Sequence, residues 1–421
     1  MGLEAGERRR DGDPWLLLLT LVLVGCGLVM VLSASQALAY LQHLSPFYYL
    51  ERQAIGAALG AAALVALSRF DYHRLRRLAL TLAGAVTVLM LLVMVPGVGV
   101  MANGARRWLD LGPLGSFQPS EVAKLAFAVF ICCWIEKRQR RLLTFADGFM
   151  PFAILLVAAL GLLALQKDLG TALVMAAIFA SAYFAGGGRK RYLLLLMGGL
   201  ALVFLVLTLV EPYRAGRLAT WRNPFADPLG AGFQSSQAIL ALGNGGLTGV
   251  GLGHSVEKFL WLPEAHTDFI FAIIGEETGL IGTTIVLAAF VAFAARGYRV
   301  AIRAPDRLGL MLATAITTWI AFQALLNMAT VTDTLPITGV PLPFFSYGGT
   351  SVAATLAAVG VLLNIAGQSR RQSNRGNERG VPAKSRVSWG EDRRLDAAAD
   401  RGRGDRWAPV PGPGGGASVP R

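Results

Sequence analysis

Cysteine, histidine and charge are all scarce in this chain, and each scarcity removes a class of protein. The three cysteines, Cys26, Cys132 and Cys133, lie in apolar runs and two are adjacent, which leaves neither a disulfide framework nor a spaced thiolate metal site. The four histidines, His43, His73, His254 and His266, show no ligand spacing, so structural zinc is set aside. Only 15% of the 421 residues are charged while 54% are hydrophobic, and the mean hydropathy of +0.53 is far from that of an average soluble chain. The bilayer is the solvent this composition fits.

What is present in quantity is the apolar run. Stretches of roughly 18 to 22 residues, enough to cross ~30 Å of hydrocarbon at 1.5 Å per residue, recur about ten times. They lie near residues 14–36, 52–68, 78–95, 119–136, 149–165, 168–186, 192–210, 268–295, 308–330 and 349–367. The expected fold is therefore all-α: a polytopic membrane protein of about ten transmembrane helices with one large extracytoplasmic loop, 211–267. Residues 1–13 are expected as a cytoplasmic N-terminal segment, 14–369 as the transmembrane domain and 370–421 as a disordered basic cytoplasmic tail. The first run is read as a retained anchor, because it exceeds the length of a signal-peptide core and Glu4, Glu7, Asp11 and Asp13 dilute the positive charge before it.

Charge tests this count. Arg8 to Arg10, Arg74 to Arg77, Lys137 to Arg141, Arg189 to Arg191 and Arg299 to Arg307 supply cations to every second connection, as the positive-inside rule demands, so both termini are expected in the cytoplasm. The net charge of +13 resides mainly in these loops and in the tail, where 370–421 holds 12 Lys and Arg against 6 acids. Membrane orientation accounts for that charge, and no nucleic acid is expected as a partner. The tail has little to bury and suits contact with anionic membrane lipids.

Three segments on the expected outer side carry ionisable groups against the usual bias. In the large loop, Arg214, Arg217 and Arg222 place cations at the outer face, fit either to anchor helix ends or to meet a phosphate or diphosphate head group. The run "GNGGLTGVGLG" at 243–253 follows no strand and has no acidic partner in dinucleotide-binding order, which leaves a hinge or an anion nest. Next, "KFLWLPEAHTDFIFAIIGEETG" puts Glu264, His266 and Asp268 at the mouth of the eighth span and Glu276 and Glu277 inside it. A carboxylate held there costs roughly a few kcal/mol unless it is paired or has a task. Partial desolvation suits Asp268 to general-base work. Glu276 lies eight residues on, about 12 Å deeper at helical rise, and is assigned with Glu277 to packing. In "NGARRWLDLGPLGSFQPSEVAKLAF", Glu121 and Lys124 stand three apart on one helix face, as an ion pair or as substrate contacts. Arg106, Arg107 and Trp108 are interfacial anchors or a sugar-stacking, phosphate-binding edge. Finally, "TDTLPITGVPLPFFSYGGTS" at 332–351 holds prolines and glycines at membrane depth and is expected to line a cavity. Asp168 in "QKDLGT" reads as a helix N-cap.

Together "GARRWLDLG…QPSEVAKL", "QKDLGTALV", "GNGGLTGVGLGHSVEKFLWLPEAHTDFIFAIIGEETG" and "GVPLPFFSYGGTS" resemble the SEDS family of bacterial cell-wall glycosyltransferases, whose members include FtsW and RodA. The resemblance spans about 14–369, and "LPEAHTD" with the basic tail is nearer the division type than the elongation type. It implies a peptidoglycan glycosyltransferase that polymerises lipid II at the outer face of the cytoplasmic membrane, with an undecaprenyl-diphosphate-linked glycan as donor. Asp268 matches the family's essential aspartate and is the expected catalytic residue. Trp108, Arg106, Arg107, Glu121, Lys124, Arg217, Gln237, Glu264, His266 and Ser346 are the expected substrate-binding set. The resemblance further implies a class B penicillin-binding transpeptidase and other division proteins as partners, and location at the division septum; the leaving diphosphate needs positive charge around it, to come from Arg217 and Lys124 or from a divalent cation, Mg2+ or Mn2+. A lipid II flippase is the alternative that the same bundle would allow. The chain departs from the family pattern at Lys167, where proline is common, and at Asp333, where glycine is usual.

Overall fold

In the computed structural model of the chain the described residues are 12–102, 104–110, 112, 115–210, 221 and 223–378, with backbone alone at 102, 202–210 and 373–378. Arg214, Arg217 and Arg222, the segment before residue 12 and the tail beyond 378 lie outside the described residues.

Among the described residues ten long helices overlie the ten apolar runs. They are α1 (Pro14–Leu41), α2 (Tyr48–Arg69), α3 (Leu75–Leu92), α4 (Pro119–Lys137), α5 (Met150–Leu165), α6 (Leu169–Ala185) and α7 (Lys190–Val210). A shorter α8 (Phe233–Gly245) comes next, followed by α9 (Ile270–Ile302), α10 (Arg307–Val331) and α11 (Gly349–Glu378). Seven stretches among the described residues are long and apolar enough to cross a membrane. Three ionisable residues near its ends and one within, Glu121, Lys124, Glu136 and Lys137, keep α4 out of that group, although most of the helix is buried. Carboxylates start several of these helices: Asp13 accepts from Trp15 N (3.0 Å) and Leu16 N (3.3 Å), Asp168 from Thr171 N (3.1 Å), and Asp306 from Gly309 N (2.7 Å). Each satisfies backbone donors that the first turn leaves open. The N-cap reading of Asp168 is thus seen directly.

One element was not expected. Residues 99–117 form a three-stranded antiparallel sheet, β1 (Gly99–Ala102), β2 (Ala105–Asp110) and β3 (Ser116–Phe117), with Val100 opposite Trp108 and Leu109 opposite Phe117. The Asn-Gly pair between β1 and β2 is a hairpin signal, and Gly104 takes φ 72° there. The helical class stands, with this small sheet added.

The connections gather at two ends in the predicted alternation. At one end Arg107 reaches the carbonyls of Gln166 and Lys167, Tyr347 N donates to His266 O, and Trp221 Nε1 donates to Asp333 O. At the other, His73 bridges Asp71 and Asp306, Arg76 pairs with Glu136, and Tyr183 donates to Leu142 O. Helices α10 and α11 form the centre: 72% and 78% of their most apolar windows are buried, against 28% for α2. α11 lies tightly along α2, where a Cβ on Gly56 would meet Gly349 backbone and one on Gly60 would come within 2.8 Å of Ala353 Cα. Small residues at such a crossing are how membrane helices pack closely.

Helix α9 is broken at Gly279, whose φ 67° and ψ −167° are not helical. Before the break, Ile270 to Glu277 are all buried; after it, Leu280, Ile281, Ile285 and Val291 are exposed. The glycine-rich run after α8 fills the break: Val250 N and Gly251 N donate to the carbonyls of Glu276 and Glu277, and Leu280 N and Ile281 N donate to those of Gly246 and Leu247. These amides serve the helix, so this is the run's task, in place of the hinge or anion nest that its composition allowed.

Candidate active site

Two carboxylates of the sequence-predicted cluster are fully committed to structure. Glu276, 1% exposed, accepts from Ser255 Oγ and from Val256 N at 3.1 Å. Glu277, equally buried, accepts from Ser33 Oγ at 2.6 Å and pairs with Lys258 Nζ at 3.0 Å. Lys258 also donates to Gly253 O at 2.6 Å. Charges this deep survive by pairing, and these do. Their effect is to pin the 253–258 chain, and so the approach to Asp268, onto α9 and α1.

Asp268 is different. It sits in the turn that opens α9 and is half-buried, with Oδ2 facing the bare backbone of Gly339: a Cβ there would stand 3.4 Å from it. Gly339 has φ 68°, in the region that favours glycine. The peptides on either side of the carboxylate are held by side chains. Ser346 Oγ donates to Thr267 O at 2.7 Å and accepts from Leu342 N at 2.7 Å, while Asn327 Nδ2 donates to Asp268 O at 2.7 Å. A hydroxyl and an amide from two distant segments therefore fix the backbone that carries the acid, which is what a positioned general base requires.

Around this turn the predicted residues fall into distinct groups. His266 packs edge-on against Tyr49 (centroids 5.1 Å apart) and lies 5.6 Å from Tyr347; burial pulls its pKa down and favours the neutral ring. Glu264, exposed at φ 55°, accepts from Thr267 Oγ1 at 2.6 Å and closes the turn locally. Glu121 and Lys124 form a buried pair at 2.8 Å, with Lys124 also donating to Gln323 Oε1 at 2.8 Å and lying 5.0 Å from the Trp319 ring. Arg107 is occupied by the 166–167 turn. Arg106, Trp108 and the half-buried Gln237 make no side-chain hydrogen bond to the described residues, and so stay available to a ligand. The structure thus joins Asp268, His266, Glu264 and Ser346 in one cluster, and links Lys124 to it through Gln323.

That link was not read from the sequence. Trp319, Gln323 and Asn327 recur every fourth residue and so share one face of α10. Gln323 Nε2 donates to Pro341 O at 2.9 Å and Asn327 to Val340 O at 2.8 Å, so this polar stripe holds the 338–342 segment beside Asp268. From the other side Gln53 of α2 donates to Ser346 O (3.0 Å) and accepts from Gly348 N (2.9 Å). Buried amides in otherwise apolar helices were the available signal. The two departures from the family pattern are also local: Asp333 adopts φ 54°, which explains a usual glycine, and Lys167 adopts φ 59°, which a proline ring forbids.

Among the described residues no three His, Cys, Asp or Glu side chains converge to hold a metal ion, so these residues alone do not fit a metal cage.

The chain is similar to known proteins along most of its length. A sequence profile for the FtsW, RodA and SpoVE group, described as cell cycle protein, matches residues 14–371. The chain is 43% identical over 354 residues to the probable peptidoglycan glycosyltransferase FtsW of Geobacter metallireducens, covering 84% of this chain and 94% of that one. It is 40% identical over 364 residues to stage V sporulation protein E of Bacillus subtilis, covering 86% and 99% respectively. Among solved structures it resembles a chain from a peptidoglycan synthase complex that coordinates polymerisation and crosslinking, with TM-score 0.69, 31% identity and coverage of 84% and 97%. It also resembles the rod shape determining protein RodA of Thermus thermophilus, with TM-score 0.62, 30% identity and coverage of 84% and 96%.

Proposed function

Because this chain belongs to the FtsW, RodA and SpoVE family of cell cycle proteins, we propose that it is a peptidoglycan glycosyltransferase, which polymerises lipid II into glycan strands for the septal wall. It is a multi-pass membrane protein. The basic connections face the cytoplasm, which puts Asp268 at the outer rim of the bilayer, where a lipid-linked sugar diphosphate meets water.

The observation that carries this reading is the contrast among three acids in one segment. Glu276 and Glu277 lie fully buried inside the bundle, whereas Asp268 is half-exposed on a backbone held from both sides. In the proposed step the Asp268 carboxylate takes the proton from the acceptor 4-hydroxyl as that oxygen bonds to the donor anomeric carbon. The bond from that carbon to the diphosphate breaks, and the lipid diphosphate leaves with the electron pair. A single displacement inverts the centre and needs one carboxylate base. Arg106 and Trp108 serve the substrate at the outer edge, and the buried Lys124 adds positive potential behind the site. A class B penicillin-binding transpeptidase is the partner that would cross-link the strand.

The test is purified protein in vesicles given lipid II and the cognate transpeptidase, beside Asp268→Asn. Polymer from the wild type and none from the variant is expected. Equal polymer from both removes the catalytic assignment, and movement of lipid II between leaflets without polymer would replace the enzyme by a flippase.

A further inference from the structure

We propose that Asn327 is a positioning residue for Asp268, setting the direction of its carboxylate through the peptide that bears it; the inference rests on the reading of Asp268 as the base. Asn327 is fully buried in α10, and both hydrogens of its amide are spent on carbonyls, one of Asp268 at 2.7 Å and one of Val340 at 2.8 Å. Those carbonyls belong to the two segments that flank the carboxylate, the turn opening α9 and the 338–342 run that contains Gly339. One side chain therefore sets the spacing between Asp268 Oδ2 and the bare backbone at Gly339.

Two further observations separate this role from ordinary packing. Among the described residues, the buried Asn327 Oδ1 accepts no hydrogen bond, so the side chain's polar contacts there are the two it donates to the carbonyls around Asp268. The neighbouring peptides are gripped as well: Thr267 O accepts from Ser346 Oγ at 2.7 Å, and Phe269 N donates to Glu264 O at 3.2 Å. Three consecutive residues centred on Asp268 are thus held by groups from three parts of the chain. Asn327 bonds only backbone here and touches no reacting atom, so it acts through Asp268.

The experiment measures lipid II polymerisation by the full chain with its transpeptidase, for wild type, Asn327→Leu, Asn327→Asp and Asp268→Asn. Leucine keeps the branching at Cγ and removes both donors. Turnover of Asn327→Leu should fall about 10- to 100-fold, as small misplacements of catalytic groups do. Its KM for lipid II should stay within about threefold, and the acid limb of its rate profile should move. In Asn327→Asp a protonated carboxyl restores one donor, so activity relative to wild type should rise as pH falls. A folded Asn327→Leu with wild-type turnover and pH profile overturns the proposal; if that variant does not fold, an Asn327→Asp to wild-type ratio that is flat with pH overturns it. Inactive Asp268→Asn beside an unaltered Asn327→Leu refutes positioning alone, whereas an active Asp268→Asn overturns the base assignment and the proposal together.

Discussion

Replacing Gly279 by alanine tests how α9 is built. At φ 67° and ψ −167° the residue occupies a region open essentially to glycine alone, and forcing an L side chain there costs about 1 to 3 kcal/mol. The added methyl would also lie 2.5 Å from Leu247 O and close to Gly249 N, both backbone atoms without a flexible end to move. Relief requires the 246–251 run to retreat, which endangers the four backbone bonds it exchanges with residues 276, 277, 280 and 281. At about 1 kcal/mol net each, loss of half of them brings the total to roughly 3 to 5 kcal/mol. The assay is thermal unfolding in detergent, with Gly84→Ala as control. A Cβ at Gly84, in the middle of α3, meets nothing within 4 Å, so that variant should be neutral or up to about 1 kcal/mol more stable. Gly279→Ala should melt several degrees below wild type and lose activity, since the strand of chain leading to Asp268 hangs from this junction. Equal melting of the two variants would refute the reasoning.

Asp268→Asn should lower polymerisation by about 10²- to 10⁴-fold with unchanged folding, read from glycan product and melting temperature together. Lys124→Met leaves Glu121 charged and 2% exposed without its cation, a loss of about 3 to 5 kcal/mol, whereas Lys124→Met with Glu121→Leu should regain most of it; melting temperatures decide. At the opposite end, the Asp71 carboxyl is drawn down to about 2: partial burial pushes it up, but hydrogen bonds from Gln368 and His73 outweigh that. Its contribution is present above its unfolded value near 3.8 and is lost as pH falls towards 2. For His73, burial pulls the pKa down, yet Asp71 and Asp306 more than reverse this, so its contribution is full below 6.5 and lost as pH rises through the raised value. Stability should therefore plateau between about pH 4 and 6.5, and His73→Gln should flatten the alkaline side; an unchanged profile in that variant would rule the bridge out.

Much of this was legible because hydrophobic length is a direct reading of bilayer thickness. Every predicted apolar run became a helix, and Asp168 capped its helix for the reason its position suggested. The spacing of Glu121 and Lys124 allowed the ion pair that forms without deciding it against substrate contact, and the depth of Glu276 and Glu277 pointed to their packing role. What stayed hidden was long-range: nothing local tells that Lys258 reaches Glu277 and Ser33, that Gln53 holds Ser346, or that Asn327 grips the peptide of Asp268. Such bonds join residues tens to hundreds of positions apart, and a single sequence records the residue types without the pairing. The sheet at 99–117 was missed because the Asn-Gly turn was outweighed by the helical context. The 243–253 glycines were ambiguous because glycine permits many backbones and specifies none.

The crossing of α2 and α11 has a consequence for motion. Gly56 faces Gly349, Gly60 faces Ala353, and a Cβ on Gly360 would come within 2.6 Å of Leu64 O, so the two backbones touch along several turns. A slip of one residue would bring Ala57 or Ala61 onto contacts that tolerate no methyl. The pair can tilt as one plank but cannot ratchet lengthwise. Displacement applied where α11 leaves the bundle should therefore carry α2 with it and reach the turn at Ser346, at the far end of the rod.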